Sequence, residues 1–123
     1  MILIVDGDKL AGSSLERMLR YQGFEVMAVQ KGSEALVLMD LRKPEGIILE
    51  LNVEGINGIT LLRAIRKDPA FASVPVIIYT SEFADDLRRE LMDAGAQDYI
   101  VKGTIGWKSL GKRIERFFSR PRE

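Results

Sequence analysis

A doubly wound α/β domain is written into this chain of 123 residues by three features. Apolar runs alternate five times with amphipathic stretches, the rhythm of right-handed β-α-β crossovers that build a parallel sheet covered on both faces. Four of the runs end in one polar residue: Ile2-Leu3-Ile4-Val5 before Asp6, Ile47-Ile48-Leu49 before Glu50, Val76-Ile77-Ile78-Tyr79 before Thr80, and Tyr99-Ile100-Val101 before Lys102. In parallel strands of one sheet those four groups emerge at the carboxyl edge, where open α/β sheets place their ligand sites. Two carboxylates, a hydroxyl and an ammonium then face one crevice. The length and the 46% hydrophobic content fit a single domain over residues 1–123, with one core and no linker.

Strands are predicted at about 2–6, 25–29, 46–50, 75–80 and 98–101. After the first, Leu10, Leu15, Met18, Leu19 and Tyr21 approximate one helical face, and Gly23 sits where that helix ends. A second helix carries Ala35, Leu36, Leu38 and Met39 and stops before Pro44. The third places Ile59, Leu62, Ile65 and Arg66 at helical spacing and breaks at Asp68-Pro69. The fourth is expected from Phe83 to Ala94, with Leu87 and Leu91 one turn apart and Gly95 closing it. Trp107, Leu110, Ile114, Phe117 and Phe118 form the stripe of a terminal helix, and its three aromatics are expected to pack in the core unless a pocket opens beside them. The segment from Ser119 to Glu123 reads as a frayed end or the start of a linker.

Composition removes several functions. The 18 basic and 18 acidic side chains cancel, and no helix shows a clustered basic face, so neither nucleic acid nor a membrane is expected as a partner of this domain. Without cysteine or histidine there are no disulfides, no thiolate or imidazole zinc sites and no hydrolase nucleophile and base pairs; any metal must be a hard cation held by oxygen. The opening apolar run is too short for a signal peptide and meets Asp6-Gly7-Asp8 at once, so the expected address is the cytoplasm. The loop Asp6-Gly7-Asp8-Lys9 has no glycine-rich cradle for the phosphates of a nucleotide or flavin.

The segments Ile2 to Asp6, Gly58-Ile-Thr-Leu-Leu-Arg-Ala-Ile-Arg66, Val74-Pro75-Val-Ile-Ile-Tyr-Thr80 and Ala94-Gly-Ala-Gln-Asp-Tyr-Ile-Val-Lys102, in that order, resemble the receiver domain of bacterial response regulators over essentially the whole chain. The resemblance implies a flavodoxin-like (βα)5 fold with strand order 2-1-3-4-5. In that family a metal-assisted aspartate accepts a phosphoryl group from a histidine kinase, and a hydroxyl residue and an aromatic residue then reorient. By position, Asp6 matches the first of the paired acids, Thr80 the switch hydroxyl, Tyr99 the switch aromatic and Lys102 the phosphate-pairing lysine. Asn52 matches the residue whose backbone carbonyl ligates the metal. Three positions depart: Gly7 replaces the acid that binds metal directly, Glu50 replaces the acceptor aspartate, and Gly103 replaces the proline after the lysine.

These departures imply a pseudo-receiver. The usual site sets three carboxylates against one lysine, about −2, whereas Asp6 and Glu50 against Lys102 leave about −1, so Mg2+ binding is expected to be weak. Glu50 carries its carboxylate over ~1 Å further than aspartate, which misplaces a nucleophile but lets it reach toward Lys102 and Thr80 as an imperfect phosphate mimic. Asp8 is a candidate N-cap that, turned inward, could instead replace the missing carboxylate; Gly7 is expected to permit an unusual backbone angle. The Lys102-Gly103 bond is expected to be trans. Asp98 and Arg113 resemble a pair that crosses a dimer interface of the fourth helix, fifth strand and fifth helix, with two solvated charges or an intrachain bridge as the other outcomes. The leading expectation is a non-enzymatic signalling module acting through a protein partner or homodimer. The alternative is a phosphorylatable receiver using Asp6 or Asp8.

Overall fold

The computed structural model describes residues 1–118; the expected tail from Ser119 to Glu123 lies outside the described residues. The elements alternate throughout: β1 (Ile2–Val5), α1 (Lys9–Tyr21), β2 (Val26–Val29), α2 (Gly32–Arg42), β3 (Gly46–Leu49), α3 (Gly58–Lys67), β4 (Val76–Thr80), α4 (Asp85–Asp93), β5 (Asp98–Val101) and α5 (Trp107–Glu115). All neighbouring strands pair parallel in the order β2-β1-β3-β4-β5.

Because side chains alternate across a strand, each apolar run feeds two cores. Leu3, Val5, Ile47, Leu49, Val76, Ile78 and Tyr99 face the cluster that also holds Ala35, Met39, Leu62, Ile65 and Leu91 from α2, α3 and α4. Ile2, Ile4, Ile48, Ile77 and Ile100 face the opposite cluster, with Leu15 and Leu19 of α1 and Leu110 and Ile114 of α5. Burial on both sides is why these strands read as continuous apolar runs.

The register aligns the carboxyl edge. Val5 pairs with Leu49, so Asp6 and Glu50 leave adjacent strands at the same level, and Glu50 N–H donates to the Val5 carbonyl at 2.9 Å. Lys102 N–H donates to the Thr80 carbonyl at 2.8 Å, bringing the other two polar residues to the same rim. Gly58 starts α3 where a Cβ would lie 2.7 Å from Leu51 Cα, so only glycine lets the helix sit this close to the end of β3.

Several helical faces differ from expectation. Leu10 and Tyr21 are 78% and 93% exposed, because the buried stripe of α1 is narrower than the apolar count and runs through Leu15 and Leu19. Trp107 occupies the first turn of α5 and is half exposed, not core; it borders a groove of about 390 Å3 shared with Ser14, Arg17, Met18 and Tyr21. Phe118 is buried and Phe117 packs partly against the same core, although α5 ends at Glu115. The start of α4 falls at Asp85 instead of Phe83, because Ala84 is extended and Glu82 is tied down by side chains from below.

Candidate functional site

The crevice is organised by one ammonium. Lys102 Nζ donates to Asp6 Oδ2 at 2.7 Å and lies 3.0 Å from Glu50 Oε1, joining the ends of β1, β3 and β5. The second oxygen of each acid is also bonded: Asp6 Oδ1 accepts the Asp8 N–H at 2.9 Å, and Glu50 Oε2 accepts the Leu51 N–H at 2.7 Å. Both acids are buried, at 4% and 7% exposure, so this pairing offsets a desolvation that neither charge could bear alone. The ammonium also stands 5.6 Å from the centre of the Tyr79 ring, within cation–π range. Burial opposes the charge on Lys102, but its hydrogen bonds to Asp6 and Glu50 and their negative charges outweigh it and raise its pKa.

Glu50 therefore reaches Lys102, but not Thr80. The buried Thr80 hydroxyl instead accepts the Glu82 N–H at 3.3 Å, and Tyr99, 2% exposed, donates its hydroxyl to the Glu82 carbonyl at 2.8 Å. Burial raises the pKa of Tyr99, as do the charges of Glu82 and Glu50, against a smaller opposing effect of Arg88. Asn52 Nδ2 donates to the Glu82 side chain at 3.2 Å. Glu82 is thus the residue that sequence reasoning missed: it gathers Thr80, Tyr99 and Asn52, and an isolated acid in a loop carries no spacing signal.

Asp8 caps α1, accepting from the backbone N–H groups of Leu10 and Ala11 at 2.9 and 3.2 Å, so its carboxylate is used at the helix rather than turned into the crevice. Gly7 has no positive φ, so an unusual backbone angle is not its reason; a Cβ there would make ordinary contact, 3.5 Å from the Asn52 carbonyl oxygen. The Lys102-Gly103 bond is trans, and Gly103 takes φ +82°, a conformation that glycine supplies at least cost. Asp98 and Arg113 form a two-pronged bridge within the chain, Nε to Oδ2 at 3.0 Å and Nη2 to Oδ1 at 2.5 Å, which ties α5 to β5.

Each oxygen of Asp6 and Glu50 already accepts one N–H, so a hard cation would have to share these carboxylates with Lys102 and the backbone, and Gly7 adds no side-chain oxygen. Among the described residues no group of three or more acidic, histidine or cysteine side chains could hold a metal ion.

Residues 2–114 match the response regulator receiver domain. The chain belongs to that family. It is 38% identical over 104 residues to the transcriptional regulatory protein PrrA of Mycobacterium tuberculosis, covering 82% of this chain and 42% of that protein. It is 31% identical over 115 residues to a gliding motility regulatory protein of Myxococcus xanthus, covering 94% of this chain and 15% of that one. The receiver domain thus spans less than half the length of these relatives. Its fold superposes with a TM-score of 0.87 on the chemotaxis protein CheY4 of Vibrio cholerae, covering 95% of this chain and 97% of that one at 24% identity. The flavodoxin-like architecture with strand order 2-1-3-4-5 is that of this structure. No helix among the described residues of the receiver domain is long and apolar enough to cross a membrane.

Proposed function

We propose that this receiver domain is a non-enzymatic, cytoplasmic signalling module that works through protein contacts without being phosphorylated, with Glu50 standing where the acceptor aspartate belongs. The observation that carries this reading is the pairing within the crevice: each of the four oxygens of Asp6 and Glu50 already accepts one N–H, two of them from Lys102. A nucleophile for in-line transfer needs a free oxygen, a metal and an aligned donor, and displacement on the ångström scale costs about a hundredfold in rate. With two acids against one ammonium, the remaining charge of about −1 draws Mg2+ only weakly. The output surface is that of α4, β5 and α5, toward a protein partner or a second copy. Arg113 and Asp98 bond each other within the chain and so steady that surface.

The test is intact mass after incubation with acetyl phosphate and Mg2+. The expected spectrum is the unmodified chain. A gain of one phosphoryl group mapping to Asp6 or Asp8 would establish the opposite reading, an atypical phosphorylatable receiver.

A further inference from the structure

Two sets of contacts converge on Glu82. One comes from inside the fold, where Thr80 and Tyr99 bond its N–H and its carbonyl. The other begins in the crevice. Glu50 Oε2 accepts the Leu51 N–H at 2.7 Å, and the Leu51 carbonyl accepts the Gly58 N–H at 3.0 Å, so both polar groups of this buried residue are fixed. Asn52 follows directly, and its amide donates to the Glu82 carboxylate at 3.2 Å. Beyond Glu82 come Phe83, 82% exposed, and Ala84, the N-cap of α4.

We propose that Glu50 is a positioning residue: its carboxylate fixes the Leu51 amide, the turn so fixed sets Asn52 against Glu82, and Glu82 then holds the β4–α4 loop in one pose. The brace needs no phosphoryl group and belongs to the unmodified chain, so it stands or falls separately from the phosphodonor result. It gives the side chain at position 50 two tasks at once, one oxygen meeting Lys102 while the other holds the Leu51 amide. It also makes the loop pose a property of a local hydrogen-bonded turn instead of a direct contact between Glu50 and Thr80.

Amide hydrogen exchange of the full chain, read residue by residue by NMR, tests this. Glu82 N–H is the reporter, since its acceptor, Thr80 Oγ1, loses it when the loop opens. Asn52→Ala and Glu50→Met, which keeps side-chain length without an acceptor, should each speed Glu82 exchange by about three- to tenfold, the size of one lost hydrogen bond. The double variant should add nothing beyond the larger single effect, because both break one route. Glu50→Gln, whose amide oxygen can still accept from Leu51, should stay within twofold of the parent. Unchanged Glu82 exchange in Glu50→Met, or fully additive effects in the double variant, would overturn the brace. Should Glu50→Met fail to fold, Glu50→Gln compared with Glu50→Ala carries the same contrast between a side chain with an acceptor and one without.

Discussion

Lys102 holds more of the crevice together than either acid does, because each acid touches one ammonium while the ammonium touches both. Replacing it by methionine leaves two buried carboxylates facing each other without a counter-charge. Since a fifth of the lysine side chain, 20%, meets solvent, Lys102→Met should cost about 2–4 kcal/mol, measured as a lower urea midpoint at unchanged slope. The same residue sets a pH dependence. Its pKa is raised in the folded state, so its contribution is complete below the ordinary lysine value of about 10.4 and is lost as pH rises through the folded value. Burial raises Tyr79 and Tyr99 as well, and a neutral group that resists ionisation only when folded also favours folding less as pH climbs past about 10. Stability should therefore fall as pH rises above about 10, and less steeply in Lys102→Met or Tyr99→Phe. A midpoint that stays level across that range would show that the crevice pairing is not holding these protons.

At the scale of elements, Arg66 of α3 does what its apolar neighbours in the stripe do not. Its guanidinium donates twice to the Gly95 carbonyl, to the carbonyls of Phe71, Ala72 and Val74, and to the Gln97 side chain, joining α3 to the loops before β4 and β5. Arg66→Ala should lower stability by about 2–4 kcal/mol, since several carbonyls lose a charged donor together. Arg66→Lys should recover less than half, because one ammonium cannot span that fan of acceptors; full recovery in thermal unfolding would refute the geometric account. Arg66 also shows where legibility ends. The strands were readable because burial on both faces forces uninterrupted apolar runs, and their polar ends named Asp6, Glu50, Thr80 and Lys102 directly. Helical spacing, by contrast, put Arg66 on the apolar face without saying what a cation would bond there, and put Leu10, Tyr21 and Trp107 on faces that the fold leaves open. Position relative to a strand end also said nothing of Glu82, whose partners come from the loop after β3, from β4 and from β5 and meet only after the sheet has formed. The bridge of Asp98 to Arg113 was one of several outcomes until the packing of α5 on β5 selected it.

For the molecule as a whole, the receiver fold is intact, and Gly7, Glu50 and Gly103, the positions at which the sequence differs from the pattern it resembles, all lie at the carboxyl edge of the sheet. The backbone around position 7 has ordinary space: φ is not positive, and a Cβ would stand 3.5 Å from the Asn52 carbonyl oxygen. An aspartate there would therefore fit without a clash and add a carboxylate beside that carbonyl. Shortening Glu50 to aspartate would in addition draw its carboxylate back from Lys102. Gly7→Asp combined with Glu50→Asp takes the crevice from about −1 to about −2, the charge that a divalent cation relieves, and supplies the missing oxygens. Titration calorimetry should show Mg2+ binding in the double variant, weaker binding in Gly7→Asp alone, where Glu50 still occupies Lys102 and Leu51, and little in the parent. The order matters more than the magnitudes. Parent and double variant binding Mg2+ equally well would mean that the carboxylates release or share their N–H donors readily, and the pairing of Asp6 and Glu50 would then be no barrier to the metal-assisted chemistry of the family.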